Sequence, residues 1–379
     1  MKIVLTGGGT GGHFYPLISV AEEIYEIAEK EKLLEPTIYY IGPDIFDPRA
    51  LSEQNIIFKK SPAGKVRKYF SIKNFTDYFK TAFGIIKATI QLYFIYPDVV
   101  FSKGGYAAFP TTVAARLLRI PLVIHESDAL PGKANLIAAK WARAIATAYP
   151  TTEKYFKGVD SKKIALVGNP IRKSIAIPVK DGAFEYLKLN REIPTILVLG
   201  GSSGSQAIND LILNTLNLLL PKYQIIHQVG KNNLEYIRGI SNVILQNSEY
   251  KERYKPFSFL NQLAMRMSAG AASIVISRSG SNAITEISAW GLPSIVIPIP
   301  KEISHDQTEN AFIYARFGAA TVLKQKNLTP NILFAEIERI MNDKEMYTSM
   351  QNAARKFYRP DAAHKIARLL YKIILEHEE

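Results

Sequence analysis

The chain has 379 residues, no cysteine and a formal net charge of +13 at pH 7. Its length accommodates two domains that each bury a core, and its composition is that of a globular protein. The lack of cysteine excludes a disulfide framework, a thiolate metal site and a cysteine nucleophile. The excess of positive charge predicts an anionic partner, which is a nucleic acid, an anionic lipid or a phosphorylated substrate.

The N-terminus and the hydropathy pattern predict a cytoplasmic chain that does not cross a membrane. Met1 and Lys2 lead directly into a short apolar run at residues 3–5, which is too short for the core of a signal peptide. The longest apolar stretch, residues 81–96, is interrupted by Lys87 and is shorter than the span of about 18 residues that a membrane helix needs.

Short β-branched runs alternate with longer amphipathic stretches, a pattern typical of parallel sheets covered by helices. We predict strands at residues 2–5, 37–41, 98–102, 122–126, 144–148 and 164–167, and at residues 195–199, 224–228, 242–245, 273–277, 294–298 and 320–323. Residues 362–375 have helical periodicity, which leaves open the domain on which this helix packs.

The two halves of the chain follow the same plan. In each half a strand runs into a loop of small residues, GGGTGG at 7–12 and GGSSGS at 200–205, and then into a helical pattern. This predicts an α/β protein of two Rossmann-like parallel-sheet domains with a cleft between them. The expected boundaries are an N-terminal domain over residues 1–168, a linker over 169–194, a C-terminal domain over 195–355 and a C-terminal helix within 356–379.

The first glycine loop predicts a cradle for a diphosphate or an acceptor, because small residues let backbone N–H groups approach an anion at a helix start. A tight turn without a ligand is the alternative. The loop has no Gly-Lys-Ser/Thr and is not a P-loop. A nicotinamide-dependent oxidoreductase would need an acidic residue about 20 residues further on, and Asp44 lies well beyond that distance.

The second half carries polar residues in the order that a nucleotide-sugar site needs. Ser202, Ser203 and Ser205 are hydroxyl donors beside a helix start, although one serine would be enough for N-capping. Arg278 and Ser279 precede another helix, where a structural turn explains them equally well. Further along, Glu286 suits ribose hydroxyls, and amide groups downstream suit sugar hydroxyls.

Seven segments carry a resemblance to a known family. They are GGGTGGHFYP, SKGGYAAFP, HESDALPGKAN, VGNPIR, GGSSGSQAIN, SRSGSNAITEISAWGLP and HDQTENA. Through them the chain resembles, over nearly its whole length, the MurG family of lipid-linked N-acetylglucosaminyltransferases of peptidoglycan synthesis.

The resemblance implies the two-domain GT-B fold and an inverting glycosyltransferase. The implied reaction moves N-acetylglucosamine from UDP-N-acetylglucosamine (UDP-GlcNAc) to the C4 hydroxyl of the muramyl sugar of a polyprenyl-diphosphate-linked precursor. A related GT-B enzyme that acts on another lipid acceptor, such as diacylglycerol, is the nearest alternative. A non-catalytic nucleotide-binding or membrane-tethering module is a third.

The resemblance also implies site residues. On the donor side these are Arg172, Ser202, Leu260 near the uracil, Glu286 on the ribose, Gln307 on the sugar hydroxyls and Asn310 supporting that loop. On the sugar and acceptor side they are Thr10, Gly11, Gly12 and Asp128. Two positions depart from the family's pattern, since Asp128 stands where many members have asparagine and Ser203 stands where glutamine is usual.

The implied step needs a base near the attacking hydroxyl and stabilisation of the departing diphosphate. His13 is the first candidate for the base, because its ordinary pKa of about 6.5 suits that task, but it can equally hold the loop. Glu126 and Asp128 are the next candidates, although Glu126 closes a buried strand and can merely orient the site. No Asp-x-Asp motif or metal-ligand spacing occurs, so the sequence requires no divalent cation or other cofactor.

Residues 59–93 hold eight basic residues and one acidic residue, Asp77. Apolar side chains follow at helical spacing, among them Phe75, Phe79, Phe83 and Ile86, and the basic residues before them include Lys65, Arg67 and Lys68. An apolar face rimmed by cations is typical of a helix that lies on an anionic bilayer, whereas a core helix with a solvated rim is the alternative. We therefore predict a peripheral protein at the cytoplasmic face of the membrane, without a nucleic-acid partner.

Overall fold

The computed structural model describes residues 1–65, 72–201, 203–300 and 307–376. Three of the predicted site residues, Arg67, Lys68 and Ser202, lie outside the described residues. The chain divides into two compact units, Met1–Arg172 with Arg359–Glu379, and Lys173–Tyr358. Among the described residues, no helix has the length and apolar character that a membrane crossing requires.

The first unit is built on a parallel sheet of seven strands in the order β3-β2-β1-β4-β5-β6-β7. Its strands are β1 (Lys2–Thr6), β2 (Thr37–Gly42), β3 (Ile57–Lys60), β4 (Val99–Ser102), β5 (Leu122–Glu126), β6 (Ala144–Thr147) and β7 (Ile164–Leu166). Its helices before the unit boundary are α1 (Gly11–Glu31), α2 (Pro48–Glu53), α3 (Ile72–Ile95), α4 (Phe109–Leu117) and α5 (Lys133–Ala138), with 3-10 turns at Pro150–Tyr155 and Ser161–Lys163.

The second unit is built on a parallel sheet of six strands in the order β10-β9-β8-β11-β12-β13. Its strands are β8 (Thr195–Leu199), β9 (Gln224–Gln228), β10 (Tyr254–Phe257), β11 (Ala272–Ser277), β12 (Ser294–Val296) and β13 (Ala320–Val322). Its helices are α6 (Lys173–Ala176), α7 (Ala183–Leu187), α8 (Gln206–Leu219), α9 (Leu234–Ile244), α10 (Gln262–Ala271), α11 (Ser281–Trp290), α12 (Thr308–Arg316), α13 (Pro330–Asn342) and α14 (Lys344–Phe357), with 3-10 turns at Lys251–Arg253 and Gln325–Asn327.

Both sheets are buried on two faces, which is why their central strands are apolar at successive positions. In β1 the side chains of Ile3 and Leu5 pack into one core cluster and that of Val4 into another. In β8 Ile196 and Leu197 divide in the same way between two clusters. The predicted fold of two parallel-sheet domains covered by helices is confirmed.

Most predicted strands lie within a residue or two of the observed ones, but three elements differ. The edge strands β3 and β10 were not predicted, because β3 is short and half basic and β10 contains Pro256, which is tolerated only at a sheet edge. The strand predicted at residues 242–245 is wrong. These residues end helix α9, whose buried side chains recur at helical spacing while Val243 is 72% exposed.

The boundary between the units also differs from the expected linker. Most of residues 169–194 belongs to the second unit and includes the short helices α6 and α7. The N–H of Val179 donates to the carbonyl of Arg266 at 3.0 Å, and the indole N–H of Trp290 donates to the carbonyl of Ile175 at 2.9 Å. These bonds fix the segment on α10 and α11.

The predicted C-terminal helix, α15 (Ala362–Leu375), has the expected bounds and belongs to the first unit. Its buried face, with Ile366 and Leu370, packs on α1. Tyr371 Oη donates to the carbonyl of Ile24 at 2.8 Å, and His364 Nδ1 lies 3.0 Å from a carboxylate oxygen of Glu23. The end of the chain therefore completes the core of the unit in which the chain begins.

The strand order of each sheet reverses beside its first strand. The chain moves outward from β1 to β3 on one side and then from β4 to β7 on the other, and β8 and β11 have the same relation in the second sheet. Ligands of such sheets bind outside the carboxyl ends of the strands at this point of reversal. The two loops of small residues follow β1 and β8, so the topology places both of them there.

The packing of α15 predicts a contrast between two leucines of that helix. Leu370→Ala should lower the free energy of unfolding of the first unit by about 2–5 kcal/mol, because Leu370 is fully buried. Leu375→Ala, the same change at a side chain that is 50% exposed, should cost about 0.5 kcal/mol or less. Urea unfolding followed by hydrogen-exchange mass spectrometry of first-unit peptides measures both, and equal losses would contradict this packing.

Candidate functional site

The loop after β1 depends on glycine at two positions. Gly8 and Gly9 have φ angles of +117° and +84°, in the region that favours glycine. A Cβ at Gly8 would collide with the hydroxyl of Tyr40, and a Cβ at Gly9 would lie 2.8 Å from the ring of Tyr106. Tyr40 Oη donates to the carbonyl of Gly7 at 2.7 Å. The turn itself therefore explains Gly8 and Gly9.

The start of α1 has no side-chain cap. Its N-cap residue Thr10 has extended backbone and makes no side-chain capping bond, and the first turn has no acidic residue. The N–H groups of His13 and Phe14 share the carbonyl of Thr10, both at 3.2 Å. Thr10 and Gly12 are exposed. The first-turn amides and the positive end of this long helix thus suit an anionic or strongly polar group.

A main-chain contact of His13 defines the tautomer of its ring. Its Nδ1 lies 3.2 Å from the carbonyl of Lys103. A carbonyl only accepts hydrogen bonds, so Nδ1 carries the hydrogen and Nε2 of the neutral ring carries the lone pair. A Cβ at Gly105 would lie 3.6 Å from Nε2, so the ring packs beside Gly105.

Lys103 is a functional candidate that the sequence analysis missed. It follows β4, is 1% exposed, and its Nζ lies 2.6 Å from His125 Nδ1 and 3.0 Å from Asn169 Oδ1. His125 Nε2 donates to the carbonyl of Gly168 at 2.8 Å, so Nδ1 is the acceptor of Lys103. The sequence signal that could have indicated Lys103 is its position at the end of an apolar strand, directly before two glycines.

Burial controls the protonation of this cluster. It lowers the pKa of Lys103 to about 7, against the opposing charges of Glu126 and Asp128. Burial, together with the charge of Lys103, holds the pKa of His125 well below its ordinary value, so that ring is neutral. Burial and the charge of Asp128 raise the pKa of Glu126, although hydrogen bonds to its carboxylate oppose this.

The contacts of Glu126 favour its orienting role over a role as the base. Its carboxylate accepts from the N–H of Asp128 at 3.0 Å, the N–H of Gly132 at 3.0 Å and Asn135 Nδ2 at 2.9 Å. These three bonds fold residues 126–132 around the carboxylate. Asp128 is half-buried in that loop, and its carbonyl accepts from Thr152 Oγ1 at 3.2 Å. The first unit thus gathers Thr10, Gly11, Gly12, His13, Glu126 and Asp128 at the carboxyl ends of β1, β4 and β5.

In the second unit Arg278 connects three loops. Its Nη2 donates to Ser205 Oγ at 2.6 Å, and its Nη1 donates to the carbonyls of Ile297 at 3.2 Å and Pro298 at 3.4 Å. Ser205 caps α8 and also accepts from the N–H of Ile208. All the acceptors of Arg278 are neutral, so the guanidinium remains an uncompensated charge among the described residues. These hydrogen bonds give Arg278 a structural role, and they hold a cation beside the start of α8.

Other predicted donor residues of this unit lie around the start of α12. Ser279 Oγ donates to the carbonyl of Gln307 at 3.0 Å, and Asn310 Nδ2 donates to the carbonyl of Ser279 at 3.3 Å. Gln307 Oε1 is buried and has no hydrogen-bond partner within the described ranges. Glu286 is half-buried on α11, the helix that follows Ser279. The turn after β11 and the first turn of α12 are therefore one connected structure.

The two remaining predicted donor residues lie in different units, Leu260 in the second and Arg172 in the first. The Leu260 side chain is 2% exposed within the core, so only its main chain can line a ligand surface. Its N–H donates to Gln228 Oε1 at 2.9 Å, and Gln228 Nε2 donates to the carbonyl of Gly201 at 3.1 Å, which connects it to the second glycine loop. Arg172 belongs to the first unit, where its guanidinium lies 3.9 Å from the ring centroid of Tyr15.

Helix α3 presents two different faces. The apolar face comprises Phe75, Tyr78, Phe79, Phe83, Ile86 and Ile90, whose exposures range from 53% to 67%. On the other side Ala88 and Leu92 are buried, and α3 packs against α4. Asp77 is also buried and forms an ion pair with Lys80 at 3.5 Å. The core-helix alternative therefore holds for one side of α3 and fails for its apolar face.

The geometry of the first loop predicts opposite effects at two glycines. Gly9→Ala should lower the free energy of unfolding by about 1–2 kcal/mol or more, because its φ is positive and its Cβ would meet Tyr106. Gly12→Ala should be neutral or stabilising by up to about 1 kcal/mol, since Gly12 is helical and its Cβ would be 3.5 Å from Thr10 Oγ1. Urea unfolding of the two variants measures the contrast, and a tolerated alanine at residue 9 would refute the described loop.

Two family models match this chain, one in each half. Residues 3–147 match the glycosyltransferase family 28 N-terminal domain, and residues 195–366 match the glycosyltransferase family 28 C-terminal domain. Among solved structures, the MurG of Acinetobacter baumannii superposes with a TM-score of 0.72 at 24% identity, covering 98% of this chain and 99% of that one. A UDP-GlcNAc 2-epimerase from Neisseria meningitidis has a TM-score of 0.68 at 15% identity, covering 98% and 100%. These two likenesses show the fold.

Sequence relatives define the family more narrowly. A protein of Treponema denticola is 36% identical over 87% of this chain and 85% of its own length, and one of Clostridium kluyveri is 34% identical over 98% and 99%. Both are named UDP-N-acetylglucosamine–N-acetylmuramyl-(pentapeptide) pyrophosphoryl-undecaprenol N-acetylglucosamine transferase. The chain belongs to glycosyltransferase family 28 and, within it, to the family of these N-acetylglucosamine transferases.

Proposed function

We propose that this protein transfers N-acetylglucosamine from UDP-GlcNAc to the C4 hydroxyl of the muramyl sugar of a polyprenyl-diphosphate-linked, peptide-bearing acceptor. The donor and acceptor classes are those in the names of the full-length relatives. The observation that carries the mechanism is the His13 ring, which the Lys103 carbonyl orients beside the uncapped start of α1. Its Nε2 is then the nitrogen that accepts a proton.

On the acceptor side His13 is the base of a single inverting displacement. Nε2 takes the proton of the C4 hydroxyl while that oxygen attacks C1 of N-acetylglucosamine, and the bond from C1 to the diphosphate oxygen breaks. The first-turn amides of α1, with Thr10, Gly11 and Gly12, bind the polar or anionic part of the acceptor. Glu126 shapes the loop that carries Asp128, and Asp128 faces the sugar.

On the donor side the leaving diphosphate is stabilised by fixed positive groups. The start of α8 offers amide donors, with Ser202 and Ser203 in the preceding loop, and Arg278 adds a cation that its neutral acceptors hold in place. Such groups are already oriented when charge develops, so the step requires no divalent cation.

The family resemblance supplies the remaining donor contacts, most of which come from the second unit. Glu286 binds the ribose hydroxyls, and Gln307, whose buried Oε1 lacks a partner among the described atoms, reads the hydroxyls of N-acetylglucosamine. Asn310 holds the turn at Ser279 and thereby the position of Gln307. The main chain at Leu260 lines the uracil, and Arg172 completes the donor contacts.

A coupled assay of UDP release tests the proposed reaction directly. Purified protein with UDP-GlcNAc and a muramyl-peptide acceptor on a polyprenyl diphosphate should release UDP only when the acceptor is present, and EDTA should not stop it. UDP-glucose, UDP-galactose and diacylglycerol serve as competing substrates. Release that requires diacylglycerol, or no acceptor-dependent release by folded protein, would overturn the proposal.

His13→Asn separates the base from a loop-holding residue. The asparagine Nδ2 can still donate to the Lys103 carbonyl, but the variant has no counterpart of Nε2. We expect kcat to fall by about 100- to 10,000-fold with the donor KM changed by about threefold at most. Glu286→Gln is the contrasting variant and should mainly raise the donor KM. Near-normal kcat in His13→Asn would assign His13 to holding the loop.

We also propose that the apolar face of α3 rests on an anionic membrane surface, on the cytoplasmic side. Its exposed aromatic and aliphatic side chains can enter the headgroup region, while the basic residues that precede α3 in the sequence, Lys65, Arg67 and Lys68, meet anionic lipid. Each basic residue near such a surface contributes about 1 kcal/mol. A peripheral contact of this kind brings the enzyme to an acceptor that is anchored by its lipid.

Vesicle co-sedimentation with and without anionic lipid tests this contact. Phe79→Ser with Phe83→Ser should weaken binding by about tenfold or more, since burying each ring contributes on the order of 1–2 kcal/mol. Tyr186→Ser with Tyr236→Ser removes two aromatic side chains of comparable exposure from the second unit and should have no effect. Lys65→Glu, Arg67→Glu and Lys68→Glu together should abolish the preference for anionic lipid, and an unchanged preference would count against the proposal.

A further inference from the structure

Lys103 is a buried amine that has no ionic partner in the described part of the chain. Among the described residues its Nζ bonds only to His125 Nδ1 and Asn169 Oδ1, and both are neutral acceptors. The nearest carboxylates in its electrostatic environment, those of Glu126 and Asp128, attract its charge without bonding to it. A buried charge that is not paired is costly and is typical of functional sites.

The main chain of Lys103 connects this charge to the acceptor-side loop. Its N–H donates to the carbonyl of Thr6, the last residue of β1, at 2.9 Å, and its own carbonyl accepts from His13 Nδ1 at 3.2 Å. Its Cβ lies 3.0 Å from the position that a Cβ at Gly7 would take. Lys103 therefore lies directly against the loop that precedes His13.

The polar and charged groups around Lys103 and His125 come from three elements. From β4 comes Lys103, from β5 and its following loop come His125, Glu126 and Asp128, and Asn169 after β7 is neutral. A charge on His13 lowers the pKa of His125, whose ring contacts Lys103 Nζ, so the three groups are close enough to interact. Within this described group the Lys103 ammonium carries the positive charge, because His125 stays neutral.

We propose that Lys103 is a positioning residue for the acceptor-side base: its buried ammonium keeps the His13 imidazole unprotonated, and its carbonyl fixes the tautomer that can take the acceptor's proton. The electrostatic reason is that a nearby like charge disfavours protonation of a histidine. This proposal rests on the role of His13 proposed above. It assigns Lys103 no contact with substrate, since the side chain is fully buried.

The protonation range of Lys103 suits this role. Burial lowers its pKa to about 7, so the ammonium is present at and below that pH. In that same range a histidine with an ordinary pKa of about 6.5 becomes protonated and stops acting as a base. Towards higher pH the ammonium is lost, but a histidine is then neutral without help. The charge is therefore present where the base needs it.

A titration of the His13 ring by NMR tests the proposal without any turnover, with the signal assigned through His13→Asn. In the unaltered chain His13 should titrate below its ordinary pKa of about 6.5. In Lys103→Met and Lys103→Gln its pKa should rise by about one pH unit, because both variants remove the positive charge. Lys103→Gln retains amide donors for His125 and Asn169, so it separates the charge from the hydrogen bonds and covers the case in which Lys103→Met does not fold.

The pH profile of kcat/KM gives a second readout. In both neutral variants the acid limb should move to higher pH by the same amount as the His13 titration, whereas Lys140→Met, a loss of the same charge at an exposed site of the first unit, should leave it in place. A purely structural Lys103 would lower stability or kcat without moving either titration. A His13 pKa of about 6.5 or above in the unaltered chain, or an unmoved pKa in a folded neutral variant, would overturn the inference. Absence of transferase activity would instead refute the proposed function and leave the titration result intact.

Discussion

The reversal of strand order in each sheet is the constraint on which the rest of the structure depends. A parallel sheet that buries both faces must send its connections to both sides, and beside the first strand two neighbouring connections leave in opposite directions. At that point the carboxyl ends of β1 and β4, and of β8 and β11, are adjacent and not covered by a shared connection. Helix starts, glycine loops and buried ionisable groups all gather at these ends.

The sequence predicted this architecture because its strongest signals are local. Buried central strands are apolar at successive positions, and glycine loops mark where they end. The edge strands β3 and β10 lacked that signal, since an edge strand tolerates lysine and proline. Residues 242–245 were misassigned because a short apolar run fits a strand as well as the last turn of a helix.

Lys103 shows what sequence reasoning could not reach. Its importance depends on two partners that lie 22 and 66 residues away, His125 and Asn169. A lysine is ordinarily exposed, so its burial follows from the tertiary structure and not from local pattern. The residues on the glycine loops could be proposed from the sequence, by contrast, because a loop that approaches a ligand closely must use small residues wherever it occurs.

The two units use positive charge in different ways, and the chemistry explains the difference. Arg278 is only half-buried, and three neutral oxygens hold its guanidinium beside the start of α8, where the proposed reaction places the leaving diphosphate. A base on the acceptor side must instead stay neutral until it takes a proton, so a cation there is useful only if it acts on the base and stays away from the ligand. Complete burial of Lys103, whose carbonyl holds His13, meets both conditions. An exposed lysine at the same place would attract the acceptor's phosphates and compete with the helix start for them.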